Sequence, residues 1–149
     1  MATTTTVAAY RAALFAAMQA DGTLGAIQVA YGSPYDARRE EGIWLGRSLD
    51  LGSSDDPYLK SGRRSRQESY EVEVTLFVAS QKTAPASEIR AAVLIAALED
   101  ILALDTTLSV DGVLYALPTS FTWDTNLGGD GGTPATEVTF TIQVEGRLQ

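Results

Sequence analysis

The sequence predicts an α+β fold, in which an antiparallel or mixed β-sheet of four to five strands packs against two α-helices, with a long loop between strands. Two observations favour this class. In two segments the apolar residues recur every three or four positions, which is typical of amphipathic helices. In several others apolar and polar residues alternate, which is typical of strands with one solvated face.

The first elements are a helix and two short strands. The larger apolar residues between Val7 and Met18 have helical spacing. Ile27 to Tyr31 alternate until Pro34, which has no amide hydrogen to donate to a sheet. A second short strand is predicted from Ile43 to Arg47, and its Trp44 points away from its apolar neighbours. We therefore expect both faces of this strand to be covered.

A long loop and a regular strand follow. Ser48 to Gln67 is the longest segment without regular periodicity, and loops of this length in compact domains are usually functional or disordered. Tyr70 to Val78 then alternates cleanly, with Glu71 and Glu73 on the polar face. This segment predicts an antiparallel strand with one solvated face.

The second helix is predicted to be apolar on two sides. Thr83 and Pro85 provide a start signal, because threonine caps helices and proline fits the first turn. Ile89 and Val93 lie on the opposite side from the main apolar stripe, so we expect this helix to have neighbours on two sides. The main stripe comprises Ala91, Leu94, Ile95, Leu98, Ile101 and Leu102.

The C-terminal third predicts a β-hairpin with a glycine-rich tip. Its strands extend from Leu114 to Trp123 and from Glu137 to Arg147. Pro118 implies that the first of them is an edge strand or contains a bulge. Packing is the expected role of Trp123, as of Trp44. A chain of 149 residues can bury one core, so we predict one domain covering residues 1–149.

Composition excludes most catalytic and metal chemistry. The chain has no cysteine and no histidine, which removes thiolate nucleophiles, zinc–thiolate sites and the usual general base near neutral pH. The segment from Gly128 to Gly132 lacks the lysine of a phosphate loop. A calcium loop starting at Asp124 fits at Asn126 and Gly129 but fails at Gly128 and Ala135, where oxygen ligands are needed. We therefore assign no catalytic, cofactor-binding or metal-binding residue. No apolar stretch could span a bilayer, and the N-terminus lacks a secretory signal, so we expect a cytoplasmic product without a membrane partner.

The basic segment from Lys60 to Arg66 is the main candidate for binding. It holds four of the eleven cations and no acids, in a chain of net charge −8. One hypothesis is a solvated loop that neutralises nearby acids. The other is contact with an acidic partner surface or with passing DNA, since arginine binds carboxylate or phosphate through two hydrogen bonds. Copies of this acidic chain would serve as that partner in a head-to-tail assembly. The cations of this interface are Lys60, Arg63, Arg64 and Arg66, and its acids are Asp55, Asp56, Glu71 and Glu73.

The order of several segments carries a family resemblance. It extends from about Ala26 onward and includes Tyr31-Gly32-Ser33-Pro34, Ile43-Trp44-Leu45-Gly46, Arg66-Gln67-Glu68-Ser69-Tyr70, Arg90-Ala91-Ala92 and Val144-Glu145-Gly146-Arg147. In this order the chain resembles the tail terminator (tail completion) proteins of long-tailed bacteriophages. The resemblance implies a small α+β protein that forms a hexameric ring at the head-proximal end of the tail tube, and it implies no catalytic residues.

The resemblance also implies a function and partners. The protein would be a structural virion protein that ends tube polymerisation and joins the tail to the head-tail connector. Its partners would be copies of itself, the tail tube protein and the connector protein. Genomic DNA would pass through the lumen without sequence-specific binding, and an acidic lumen would not bind its phosphates. The protein would be made in the host cytoplasm and would reside in the neck of the virion.

Two alternatives remain open from the sequence. A head-tail connector subunit and a tail tube subunit share the same sheet-plus-helix ring architecture. A monomeric α+β ligand-binding domain, or a small enzyme that uses carboxylates with Lys60 or Lys82, belongs to a different class. A ring subunit would associate or assemble on its tube partner, whereas an enzyme would stay monomeric and be stabilised by its ligand.

Overall fold

The computed structural model describes residues 5–55, 66–128 and 132–148, and these contain two α-helices and five β-strands. The α+β class predicted from the sequence is confirmed. In chain order the elements are α1 (Val7–Ala20), β1 (Gln28–Ala30), β2 (Glu41–Asp55), β3 (Arg66–Val78), α2 (Ala84–Leu104), β4 (Val113–Asn126) and β5 (Ala135–Leu148). Two short 3₁₀ turns, Leu24–Ala26 and Tyr35–Ala37, flank β1.

The five strands form one mixed sheet in the order β1-β2-β3-β5-β4. β1 is parallel to β2, and the other neighbouring pairs are antiparallel. The predicted pairing of the last two strands is confirmed, with Thr119 opposite Thr141 near its middle. β4 forms one end of this sheet and has an irregularity between Thr119 and Thr122, as Pro118 predicted.

Both helices pack on one face of the sheet. Alternate residues of β3 and β5 point towards them because side chains of a strand alternate between its two faces. The predicted apolar stripe on α2 is confirmed, since five of its six residues are buried and the sixth, Ile101, is partly buried. The core comprises Tyr10, Leu14 and Met18 of α1, Leu94 and Leu98 of α2, Tyr70, Val72, Val74 and Leu76 of β3, and Val138, Phe140, Ile142 and Val144 of β5.

The predicted loop from Ser48 to Gln67 is wrong at both ends. β2 continues past Arg47 to Asp55, and β3 begins at Arg66. Two bulges, between Leu45 and Ser48 and between Asp50 and Gly52, each add one residue to β2. A bulge breaks the alternation of apolar and polar residues along a strand, which hides the strand in the sequence. Residues 56–65 of the predicted loop lie outside the described residues.

The start of α2 is fixed as the sequence predicted. Thr83 Oγ1 accepts a hydrogen bond from the backbone N–H of Ala86 at 3.2 Å, and Pro85 occupies the first turn. The buried hydroxyl of Ser87 donates to the carbonyl of Val78 at 3.1 Å, which holds this end of the helix against β3.

A two-pronged ion pair joins α2 to β2. Arg90 donates from Nε to Glu41 Oε2 at 2.7 Å and from Nη2 to Oε1 at 3.3 Å. These hydrogen bonds hold the pKa of Glu41 below its usual value of 4.5, while partial burial opposes them. The ionised carboxylate is therefore preferred more strongly in the folded chain than in the unfolded chain.

Acid should remove the contribution of this pair. Since the folded pKa of Glu41 is depressed, its stabilisation is complete above the unfolded pKa and is lost as pH falls through the folded pKa. We expect Arg90→Gln to lower the free energy of unfolding at pH 7 by at most ~1 kcal/mol, because the pair is partly exposed. Urea unfolding at pH 7 and below pH 4 should show a smaller difference between variant and wild type in acid. Lys82→Gln, at an exposed cation before α2, is the control. An Arg90→Gln effect that is equal at both pH values would contradict this linkage.

Candidate assembly surface

The predicted basic segment emerges from the ends of two long strands. The backbones of Asp55 and Arg66 pair at the last position of the β2–β3 ladder. Asp56, Lys60, Arg63 and Arg64 lie outside the described residues, so their contact with a partner stays a prediction.

The predicted acids Glu71 and Glu73 lie side by side on the sheet face opposite the helices, here called the outer face. Glu71 is opposite Gln143 on β5, and Glu73 is opposite Thr141. Both glutamates are half-buried, and Thr75 and Phe77 on the same face of β3 are buried, so the solvated face predicted for this strand is wrong over its second half. Glu73 Oε2 lies 3.6 Å from Nε of Arg47, whose side chain is largely exposed. This surface pair contributes little to stability, so Glu73 keeps its capacity to bind a cation from another chain.

Threonine and glutamate dominate the outer face. Thr139 and Thr141 of β5 lie opposite Thr75 and Glu73 of β3. Ser69 Oγ donates to Glu145 Oε1 at 2.8 Å, which orders the same face near the start of β3. The same face also carries the buried Trp44 and Phe77, with the Arg38 guanidinium over the Phe77 ring.

The second apolar side of α2 is exposed. Ile89 is 67% exposed, and Val93 also faces solvent. The neighbours that the sequence predicted for this side are thus not supplied by the described part of the chain. Thr125 of β4 donates to Glu88 at 2.8 Å, which places the first turns of α2 beside the end of β4. An apolar helix face left open in one chain is typical of a surface that contacts another chain.

Edge strand β4 continues this exposed apolar surface. Trp123 lies on the same sheet face as Thr125 and is 45% exposed, so the packing role predicted for it is not complete in this chain. The same expectation for Trp44 is confirmed, since Trp44 is 7% exposed. The predicted covering of both faces of that strand is confirmed too. β4 also exposes Leu114, Tyr115, Leu117 and Phe121.

An open groove separates α2 from β4. Its volume is about 360 Å³, and its lining is mostly apolar, with Leu102, Ala116, Pro118 and Phe121 among the lining residues. Glu99 is the carboxylate at its margin. The groove thus offers apolar contact area with one carboxylate beside it.

The buried tyrosines of the core are structural groups. Burial raises the pKa of Tyr70 to about 12, with a smaller opposing effect of its hydrogen bond with Thr6. Burial also raises the pKa of Tyr10, and the nearby Tyr70 adds to the shift. Both side chains are fully buried, so neither can reach a substrate. Their phenols stay neutral and serve as hydrogen-bonding groups of the core.

Glu68 is a buried carboxylate that the sequence analysis did not identify. It is 6% exposed and accepts a hydrogen bond from the backbone N–H of Thr6 at 3.0 Å. The hydroxyls of Thr5 and Thr6 donate to the same carboxylate. Glu68 has the same alternation phase as Tyr70 and Val72, so a charge at a core position of β3 was the available signal.

The described residues were also compared with the requirements of metal sites and membrane spans. Among residues 5–55, 66–128 and 132–148, no group of three or more His, Cys, Asp or Glu could hold a metal ion. No described helix is both long and apolar enough to cross a bilayer.

Comparison with known proteins gives a structural match. No family model and no curated protein sequence matches the chain. Among solved structures, 32 chains match, and one of them belongs to the virion of a native gene transfer agent (GTA) particle. This match has a TM-score of 0.66 at 16% identity and covers 97% of the present chain and 100% of that chain. At this identity, the likeness shows that the two chains share a fold over nearly their whole lengths.

Proposed function

We propose that this chain is a structural, non-enzymatic subunit of a phage-like particle, and that it caps the head-proximal end of the tail tube as a ring. The observation that carries the proposal is the match to a GTA virion chain, which covers essentially the whole of both chains. A shared fold alone does not determine function, so the proposal also depends on the surfaces described above.

Those surfaces favour assembly over chemistry. The described chain combines an open apolar face on α2, an edge strand rich in exposed apolar residues and an acidic outer face. Exposed apolar surface of this extent is typical of proteins that contact other chains. The glutamates and threonines of the outer face fit a lumen through which DNA passes, because these side chains do not attract phosphate. The ring's other partners would be the tube protein and the head-tail connector, and the whole chain would act as one tail-terminator-like domain in the neck of the virion.

Labelling in assembled particles tests this function. Gold or fluorescent label on the chain should mark a single position, at the junction of tail and head. Label along the whole tail would identify a tube subunit instead, and label that stays with tailless heads would identify a connector subunit.

A length measurement gives an independent readout of the same proposal. Without the chain, tube protein should polymerise to variable lengths, and adding the chain should stop elongation at one end. Tubes whose length distribution is unchanged by the chain would contradict the terminator function.

A further inference from the structure

We propose that copies of this chain join head to tail through Tyr35, whose side chain enters the groove between α2 and β4 of the next copy. The inference rests on the proposed function, because it names the contact that would repeat around the ring. It differs from the predicted contact of the basic segment, since it joins one exposed aromatic ring to one apolar groove.

Tyr35 is an exposed residue in a strained backbone conformation. It begins the 3₁₀ turn Tyr35–Ala37 between β1 and β2, and its side chain is 83% exposed. Its φ is +46°, in the left-handed region that a bulky residue rarely adopts. Backbone outliers of this kind cluster at functional and ligand-binding positions. An exposed tyrosine held in this conformation is therefore a candidate contact residue.

The turn is held in place by its neighbours. The side chain of Gln28 donates from Nε2 to the carbonyl of Ala37 at 3.1 Å, and its Oε1 accepts from the backbone N–H of Arg39 at 2.9 Å. The guanidinium of Arg38 lies 3.7 Å from the centre of the Phe77 ring. A group that is already ordered loses less conformational entropy on binding, so the turn presents its tyrosine at a low entropic cost.

The groove has the shape and chemistry to receive a tyrosine. Its volume of about 360 Å³ lies in the range of pockets that bury a ligand. Leu102, Ala116 and Phe121 provide apolar walls for the ring, and Glu99 at the margin can accept a hydrogen bond from the phenol O–H. Tyrosine is enriched at interfaces because it combines an apolar body with a polar tip. The groove offers a matching surface for both parts.

A second copy of the chain is the occupant that the topology favours. Tyr35 lies beside β1, at one end of the strand order, whereas the groove adjoins β4, at the other end. Because Tyr35 is largely exposed, it does not fill the groove of its own chain. One chain therefore carries a projecting ring and an open groove on different surfaces. A contact between two such different surfaces repeats head to tail, and it forms a ring when its rotation closes.

Charge neither favours nor opposes this contact. The turn and the residues after it carry Arg38 and Arg39 against Asp36 and Glu40, while Glu41 is already paired within the chain. The net charge of this surface is therefore close to zero as it approaches the acidic margin of the groove. The contact depends on burial of the ring and on the hydrogen bond of its hydroxyl.

Two substitutions remove the two halves of the contact. Tyr35→Asn removes the ring, and asparagine tolerates the left-handed backbone at this position. Ala103→Trp fills the groove from an exposed position on its wall and should leave the core unchanged. Each variant alone should associate at least ~10-fold more weakly than wild type in sedimentation experiments.

A mixture of the two variants should restore one junction. The Tyr35→Asn chain keeps an open groove, and the Ala103→Trp chain keeps its tyrosine. They should therefore form mixed dimers that do not grow further, because the two surfaces left over are the altered ones. Native mass spectrometry with one variant ¹⁵N-labelled detects these dimers.

Cross-linking tests the location of the contact. The chain has no cysteine, so each introduced cysteine is unique. A short bismaleimide should join Asp36→Cys in one copy, next to the tyrosine, to Ala103→Cys in another copy. The pair of Ala20→Cys, at the exposed end of α1, with Ala103→Cys is the control and should not be joined.

Controls also separate folding from assembly. Leu127→Asn and Ala20→Trp make the same kinds of change at exposed positions outside the turn and the groove, so they should associate like wild type. Circular dichroism and thermal unfolding must show that the variants are folded. If Ala103→Trp is not folded, Leu117→Arg replaces it, because Leu117 lines the same groove and is 56% exposed.

Three outcomes would overturn the contact through Tyr35. They are a wild-type chain that stays monomeric at its highest soluble concentration, single variants that associate like wild type, and a mixture without mixed dimers. Rings at the tail end that tolerate both substitutions would overturn this contact and leave the proposed function intact. Association through Tyr35 by a chain that never joins a tail would overturn only the function.

Discussion

Replacing Phe140 with alanine is expected to lower the free energy of unfolding by ~3–5 kcal/mol, because it removes a large, fully buried ring from the centre of the core. Phe140 lies on β5, opposite Val74 of β3. On its other side, the ring stacks on Phe121 of β4, with centroids 4.8 Å apart. The substitution therefore affects the packing of three neighbouring strands. Urea unfolding followed by circular dichroism measures the change.

Phe121 provides the matched control for Phe140. It loses the same aromatic contact, but it is 37% exposed, so Phe121→Ala leaves a site that water already reaches. We expect Phe121→Ala to cost ~1–2 kcal/mol, which is less than the loss at Phe140. Equal losses at the two positions would contradict the placement of Phe140 at the centre and Phe121 at the margin of the core.

Local pattern was sufficient to predict the elements of this core. The alternation from Tyr70 to Val78 and from Val138 to Val144 identifies two central strands, since each buries one face over its whole length. The helix spacing around Leu94 and Leu98 likewise requires only neighbours in the sequence. These features depend only on residues close together in the chain, so they can be recognised in a single sequence.

The order of the strands in the sheet could not be predicted in this way. The second half of β2 could not be recognised in the sequence, because two bulges, near Leu45 and Asp50, shift its side chains from one face of the sheet to the other. Strand order depends on pairing between distant segments, and several orders fit the same alternation. The positions of β1 beside β2 and of β4 at the far end belong to this order. The sequence therefore predicted a basic segment as the interface, while the exposure of β4 could be recognised only in the structure.

Glu68→Ala is the second substitution with a large expected effect, a loss of ~2–4 kcal/mol in the free energy of unfolding. Thr6, the residue before α1, makes no capping hydrogen bond to its own helix. The carboxylate of Glu68 on β3 instead accepts from the Thr6 N–H, and the Thr6 hydroxyl shares a hydrogen bond with Tyr70. The helix dipole favours a carboxylate at a helix N-terminus. Removing the Glu68 carboxylate also leaves the donors of Thr6 buried without a partner, so we expect the first turn of α1 to loosen.

Hydrogen exchange distinguishes this anchoring role from general destabilisation. Glu68→Ala should accelerate amide exchange in the first turn of α1, from Val7 to Tyr10, more than in β5. Glu68→Gln keeps an oxygen acceptor for Thr6 and should retain most of the protection. Equal acceleration in both elements would contradict local anchoring.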